Sequence, residues 1–204
     1  MSEHDSLDRV ASEVSACTKC ILHKSRVKAV PGEGLAHADI MFVGEGPGFH
    51  ENQQGRPFVG AAGQFLEELL ASIGLKREQV FITNVVKCRP PGNRDPLPEE
   101  IEACKQYLDR QIALIKPKVI VTLGRYSMAR AFPNEKISRI HGQPKKVEGI
   151  VYVPMFHPAA ALHQSSLRKT IEEDFKKLPA ILAEIETLQD EEPPSPQAQQ
   201  LSMF

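Results

Sequence analysis

Four apolar runs rich in β-branched residues constrain this chain most: ADIMFVG (38–44), VFITNVV (80–86), KVIVTLG (118–124) and IVYVPMF (150–156). Near-continuous apolar runs suit the strands of a parallel sheet covered on both faces. Helical patterns lie between them at 61–73, 98–115 and 125–132. A short one at 3–16 precedes the first run, and a last one, roughly 167–188, follows the fourth. Pro98, Glu99 and Glu100 open the second pattern with the residues that a first helical turn favours. Strand alternating with helix predicts a three-layer α/β/α sandwich around a central, mostly parallel four-stranded sheet with right-handed crossovers. At 204 residues the chain suits one full domain, expected over 1–188. Residues 189–204, with three prolines in four positions and few core-forming side chains, predict a disordered tail.

Charge narrows the partners only slightly. The net charge is −1, but five acids and no Lys or Arg lie from Glu184 onward. Residues 1–183 therefore hold 25 bases against 21 acids, a mild basic bias compatible with nucleic acid. No apolar run approaches the roughly 20 residues of a membrane span. MSEHDSLDRV lacks the apolar stretch of a signal peptide. The chain reads as cytoplasmic, with no membrane partner.

The four cysteines are spaced C-x2-C (Cys17, Cys20), a gap of 67 residues, then C-x15-C (Cys88, Cys104). A reducing cytosol disfavours disulfides and raises the weight of a metal site. Four thiolates suit tetrahedral zinc or an iron–sulfur cluster. Only the first pair is close, unlike a zinc ribbon's two knuckles, and this looser spacing fits a cluster tying the N-terminus to the domain. Spacing alone leaves zinc and iron–sulfur both open.

In an open α/β sheet, ligands bind beyond the carboxyl ends of the strands. The first such end reads GEGPGFHENQQGRPFVG (44–60). It matches neither the phosphate loop GxxxxGK[ST] nor the dinucleotide fingerprint GxGxxG. Glu45 would repel a phosphate but can hold or polarise a water. Gly44 and Gly46, on either side of it, let backbone approach a flat ligand. Phe58 offers core packing or a ring face for a base. Asn84 stands in an otherwise apolar strand, where an amide needs partners and can read a donor–acceptor edge. Arg89 and Arg94 follow among prolines and suit phosphate contacts. At the fourth end, His157 can donate to developing negative charge. His163, Ser165, Ser166 and Arg168 supply further phosphate donors.

Together GEGPG…GRPFVG, TNVVKCRPPxNR, HPAAAL and the four cysteines resemble the family 4 uracil-DNA glycosylases, from about Cys17 to about Leu182. The resemblance implies a DNA-repair hydrolase that flips uracil out of DNA and cleaves its N-glycosidic bond, leaving an abasic site. It implies a structural 4Fe-4S cluster on Cys17, Cys20, Cys88 and Cys104. It gives Glu45 the attacking water and His157 the uracil oxygen. Backbone at Glu45 and Gly46 holds the base, Phe58 stacks on it, Asn84 reads its edge, and Glu51 crowds out the thymine methyl. The HPAAALHQSSLR loop presses into the duplex groove.

The chain departs from the family in three places. Phe49-His50 precedes Glu51 where many relatives carry acids, and His163 stands where Arg is frequent. KCRPPGNRDP lacks the basic insertion of a covalently trapping relative, so His141 in RIHG receives no such role. Other classes compatible with the same motifs are a non-catalytic or trapping DNA-binding relative, and a glycosylase for another base such as hypoxanthine. Gln200–Phe204, QLSMF, resembles the pentapeptide that docks bacterial repair proteins on the sliding clamp. The expected partners are uracil-containing DNA and that clamp, with the enzyme a nucleoid-associated monomer.

Overall fold

The computed structural model describes residues 5–190. The chain runs α1 (Leu7–Ala16), β1 (Glu33–Gly34), β2 (Ile40–Gly44), α2 (Phe49–Gln54), α3 (Ala61–Ser72), β3 (Phe81–Asn84), α4 (Pro98–Ile115), β4 (Val119–Leu123), α5 (Arg125–Met128), α6 (Ile137–Ile140), β5 (Lys145–Val147), β6 (Ile150–Met155), α7 (Pro158–His163), α8 (Ser166–Phe175) and α9 (Leu178–Asp190). One sheet of order β1-β3-β2-β4-β6-β5 carries them.

The four inner strands are the four apolar runs, and every pairing between them is parallel. Alternation along each strand sorts the core into two layers. Met41, Val43, Phe81, Ile120 and Tyr152 pack with α1 and α4. Ile40, Phe42, Ile82, Val119, Val121 and Val153 pack with α3, α8 and α9. This is the expected α/β/α sandwich.

Two edge strands bring the sheet to six. β1 pairs antiparallel with β3, and β5 with β6. Each has only two or three residues and exposes polar groups, so neither carries an apolar signal; the exposed Lys145 and Lys146 also blunt the edge. Glu148 (φ 51°) and Gly149 (φ 86°) form the two-residue turn between β5 and β6, with the positive φ pair that a tight hairpin needs.

The last expected helix is two. Pro179 stands second in α9 and has no N–H to continue the ladder from α8, so the chain breaks at Lys176–Lys177. α9 continues to Asp190, two residues into the expected tail. The rest of that tail, with the QLSMF motif, lies outside the described residues. Among the described residues no helix is long and apolar enough to cross a membrane.

β2 leads into α3 on one face, whereas β4 leads toward Met128 on the other. Such a switch opens a crevice beyond the carboxyl ends of neighbouring strands.

Candidate active site

A cleft of about 380 Å³ lies there, lined by Glu45, Gly46, Gly48, Glu51, Phe58, Asn84, Asn93, Arg94, His157, Ala159 and His163, among others. Loops after β2, β3 and β6 supply them. Residues up to 118 positions apart in the chain, Glu45 and His163, thus share one wall.

Gly44 makes the arrangement possible. A Cβ there would lie 2.4 Å from Asn84 Oδ1 and 2.8 Å from the Phe58 ring. Glycine lets the amide and the ring meet over the end of β2. The next residue, Glu45, is held by its backbone, whose carbonyl accepts from Val86 N–H at 3.0 Å. Burial pushes the Glu45 carboxyl above its ordinary range; Asp95 adds repulsion and Arg125 opposes both.

Phe58 is buried and adopts φ 51°, a left-handed conformation costly for a bulky residue. Arg77 holds it there. The guanidinium donates to the carbonyls of Pro57 and Phe58 and is anchored by Glu33 at 2.7 Å. Glu51 grips the following residues, with Oε1 accepting from the N–H groups of Val59 and Gly60 at 2.9 Å each. It lines the cleft but spends one oxygen on this loop.

The Phe58 ring stacks on His157, centroids 5.4 Å apart and 24° between planes. His157 is the residue just before α7, and its Nδ1 accepts from Ala159 N–H at 3.1 Å. That acceptor role leaves the proton of a neutral ring on Nε2. Desolvation pulls the His157 pKa down to about 4, against a smaller opposing pull from Glu51. The ring is therefore a neutral donor at ordinary pH.

Asn84 is 1% exposed, and its Oδ1 has no hydrogen-bond partner among the described residues. A buried unsatisfied acceptor costs about 1–3 kcal/mol. Its own backbone carbonyl is fixed at 2.9 Å by Lys87 Nζ, which also donates to Thr83 Oγ1 (2.6 Å) and Gln111 Oε1 (2.7 Å). Lys87 is fully buried, and desolvation brings its pKa down to about 7.

The phosphate donors fall in different places. Arg94 lines the cleft, yet its two terminal nitrogens grip the buried Glu100 at 2.9 and 2.6 Å. Arg89 donates to Asn93 at 2.8 Å. Ser165, Ser166 and Arg168 are exposed and do not line the cleft; Arg168 pairs with Glu68 and Glu172 over the Phe65 ring. His141 is also elsewhere, bonded to Asp174 at 2.7 Å. Sequence reasoning missed Arg77, Lys87 and Asn93. Lys87 and Asn93 stand inside TNVVKCRPPxNR, where nothing in the pattern marks a support role, and Arg77 stands in none of the quoted motifs.

A second cavity between α1, the loop after β3 and α4 is lined by Cys17, Cys20, Cys88 and Cys104, all free of disulfides. N–H donors point at three sulfurs: Arg26 Nη1 at Cys88 (3.2 Å), backbone Lys87 at Cys104 (3.3 Å) and backbone Lys19 at Cys17 (3.5 Å). Among the described residues no three His, Cys, Asp or Glu side chains form a site for a single metal ion.

A wall with one strained ring, one amide edge, one neutral imidazole and one carboxylate suits an enzyme that grips a planar heterocycle and brings water to it. The chain belongs to the uracil-DNA glycosylase superfamily, whose family model, described as the Uracil DNA glycosylase superfamily, matches residues 31–182. It is similar to the type-4 uracil-DNA glycosylase of Sulfurisphaera tokodaii, 53% identical over 85% of this chain and 84% of the relative. The type-4 enzyme of Archaeoglobus fulgidus is 50% identical over 85% of this chain and 92% of its own. That of Thermotoga maritima is 46% identical over 84% and 92%.

Proposed function

We propose that this chain is a type-4 uracil-DNA glycosylase that excises uracil from DNA by hydrolysis and leaves an abasic site. The observation that carries the reading is the orphaned Oδ1 of Asn84 in a cleft shared with Glu45, Phe58 and His157. Uracil N3–H satisfies that oxygen, and the amide N–H₂ donates to uracil O4. Cytosine presents an acceptor at N3 and a donor at its exocyclic amine, so it leaves both amide groups opposed. The extruded base lies on Phe58, with backbone at Glu45 and Gly46 along its edge.

The C1′–N1 bond breaks with its electron pair passing to the base. His157 Nε2–H donates to uracil O2 as negative charge gathers there. The Glu45 carboxylate faces the cationic sugar and orients water toward C1′, taking up the proton that water loses. Glu51 holds the loop that bears Phe58 and narrows the cleft beside the base. Arg89, Arg94, His163, Ser165, Ser166 and Arg168 are the candidate phosphate donors. The α7 segment, with Leu162 half-exposed, enters the space the base leaves.

Cys17, Cys20, Cys88 and Cys104 would hold a 4Fe-4S cluster, which would tie the segment after α1 and α4 to the loop after β3. The N–H···S bonds and the absence of disulfides among the four thiols fit that use. Iron and labile sulfide in equal amounts, without zinc, are expected in the purified protein.

The test is an oligonucleotide with one uracil, incubated and treated with alkali. Scission at the uracil, lost in Glu45→Gln, is expected. An intact strand would end the reading, and a covalent protein–DNA band would replace it with a trap.

A further inference from the structure

Six large hydrophobic side chains stand exposed among the described residues, and Phe49 is the one aromatic in that group, at 52% exposure. It directly follows Gly48, which lines the cleft. Its ring is braced on two sides. The Arg89 guanidinium lies 5.3 Å from the ring centroid, and His50 meets it edge-on at 5.5 Å. Arg89 is itself tethered through Nε to Asn93 Oδ1 at 2.8 Å, and Asn93 lines the same cleft. Arg94, Arg110, Arg125, Arg130 and Arg168 each pair with a carboxylate, whereas Arg89 has none among the described residues. A rigid ring beside an unneutralised guanidinium is a poor solvent-facing surface and a good fit for a base and its phosphate.

Position adds the second argument. A nucleotide turned into the cleft leaves its neighbours at the rim on either side. Leu162, 51% exposed on α7, is the chain neighbour of His163, which lines the cleft. Phe49 opens the helix that follows β2 and is linked to the cleft through Arg89, whose partner Asn93 lines it. The occupant must therefore present a flat apolar face and an anion close together, as a nucleotide of the bound strand does.

We propose that Phe49, braced by Arg89, is a stacking platform for an unpaired base next to the nucleotide in the cleft, with Arg89 on the phosphate between them. This subsite rests on the reading of the cleft as a base pocket. It makes the enzyme favour single-stranded or locally opened DNA, because a paired neighbour stays in the helix stack and cannot turn onto a platform at the rim.

The experiment measures binding by fluorescence, with 2-aminopurine placed 5′ or 3′ of a non-hydrolysable 2′-fluoroarabino-uridine. Quenching at one neighbour is expected. Phe49→Ala should abolish it and weaken binding about 5- to 100-fold, the range that base–aromatic stacking carries. Phe49→Tyr should restore both, and Phe49→Leu neither. Arg89→Gln should lower the salt slope of binding by about one phosphate contact. Binding by Phe49→Ala within twofold of the parent, or rescue by Leu, would overturn the proposal. The same titration on a uracil-free single strand reads the platform independently of excision. A parent that excises no uracil but shows the Phe49-dependent quenching overturns the glycosylase reading and supports the platform.

Discussion

Asn84 and Cys88 are four residues apart, yet they belong to two regions built on opposite terms. Around the cleft, polar atoms are left wanting and backbone is held in costly conformations. Asn84 Oδ1 is unpartnered, and Phe58 sits at φ 51°. Around the cysteines, polar groups are spent. Lys87 has three acceptors, and Arg26 bonds both Cys88 and the Ser15 carbonyl. The first region stores unsatisfied bonding for a ligand to use; the second encloses its contents and fixes three parts of the chain. The difference teaches that a site can keep unsatisfied groups on one side of a strand end while neighbouring groups are fully paired on the other. Lys87 belongs to both, holding the Asn84 carbonyl with its side chain and Cys104 with its backbone N–H.

That division can be broken by substitution. His157→Ala removes the donor proposed for the departing base and should slow excision by about 10²–10³-fold. The melting temperature should stay within a few degrees, because the ring makes one local bond. A large fall in Tm with proportional loss of activity would mean the cleft is structural too.

Lys87→Met should act on both regions. It removes the donor to Thr83 Oγ1 and the Asn84 carbonyl and leaves Gln111 Oε1 only the longer bond from Thr83 Oγ1 at 3.3 Å, at a cost of about 3 kcal/mol in urea unfolding. Iron content and uracil excision should fall together. Full iron with lost excision would confine Lys87 to the cleft.

Glu51→Ala frees two backbone N–H groups beside Phe58 and should cost about 2 kcal/mol, the scale of hydrogen bonds to a charged group. Its excision should fall through KM for uracil DNA more than through kcat, since the loss is of ring placement.

The pH profile sharpens the chemistry of the cleft alone. The proposed mechanism uses Glu45 as a carboxylate, and burial raises its pKa, so as pH falls its charge is lost earlier than for an ordinary Glu. The acid limb of kcat/KM should lie above that of an ordinary glutamate, and a limb within the ordinary range would exclude Glu45 as its source. His157 stays neutral down to about pH 4 and contributes no limb above that.

The smallest effect on catalysis belongs to deletion of residues 200–204, which should leave excision unchanged while abolishing binding to a bacterial sliding clamp. Retained clamp binding would end that expectation.

Much of the fold was legible because burial on both faces leaves a local trace. Each inner strand is an apolar run, and α4 opens with its proline and acids. The edge strands β1 and β5 have no such trace. They exist because β3 and β6 offer free backbone, a property of neighbours and not of Glu33–Gly34 or Lys145–Val147 themselves. The break before α9 was in principle readable at Pro179, but the apolar spacing on both sides of it reads as continuous.

The candidate site divides in the same way. Residue chemistry is intrinsic, so the amino-acid sequence by itself determined that an acid, an amide, an imidazole and a ring would stand just past the strand ends. It also determined that four thiols would accompany them. Only the tertiary structure decided their states. The closeness of Asn84 and Phe58 depends on the missing Cβ of Gly44, and the strain in Phe58 on Arg77 and Glu33 from other segments. The neutral His157 with its proton on Nε2 depends on desolvation and on Ala159 N–H. Distances, dielectric surroundings and hydrogen-bond partners belong to pairs of groups, and a linear chain specifies such pairs only after it has folded.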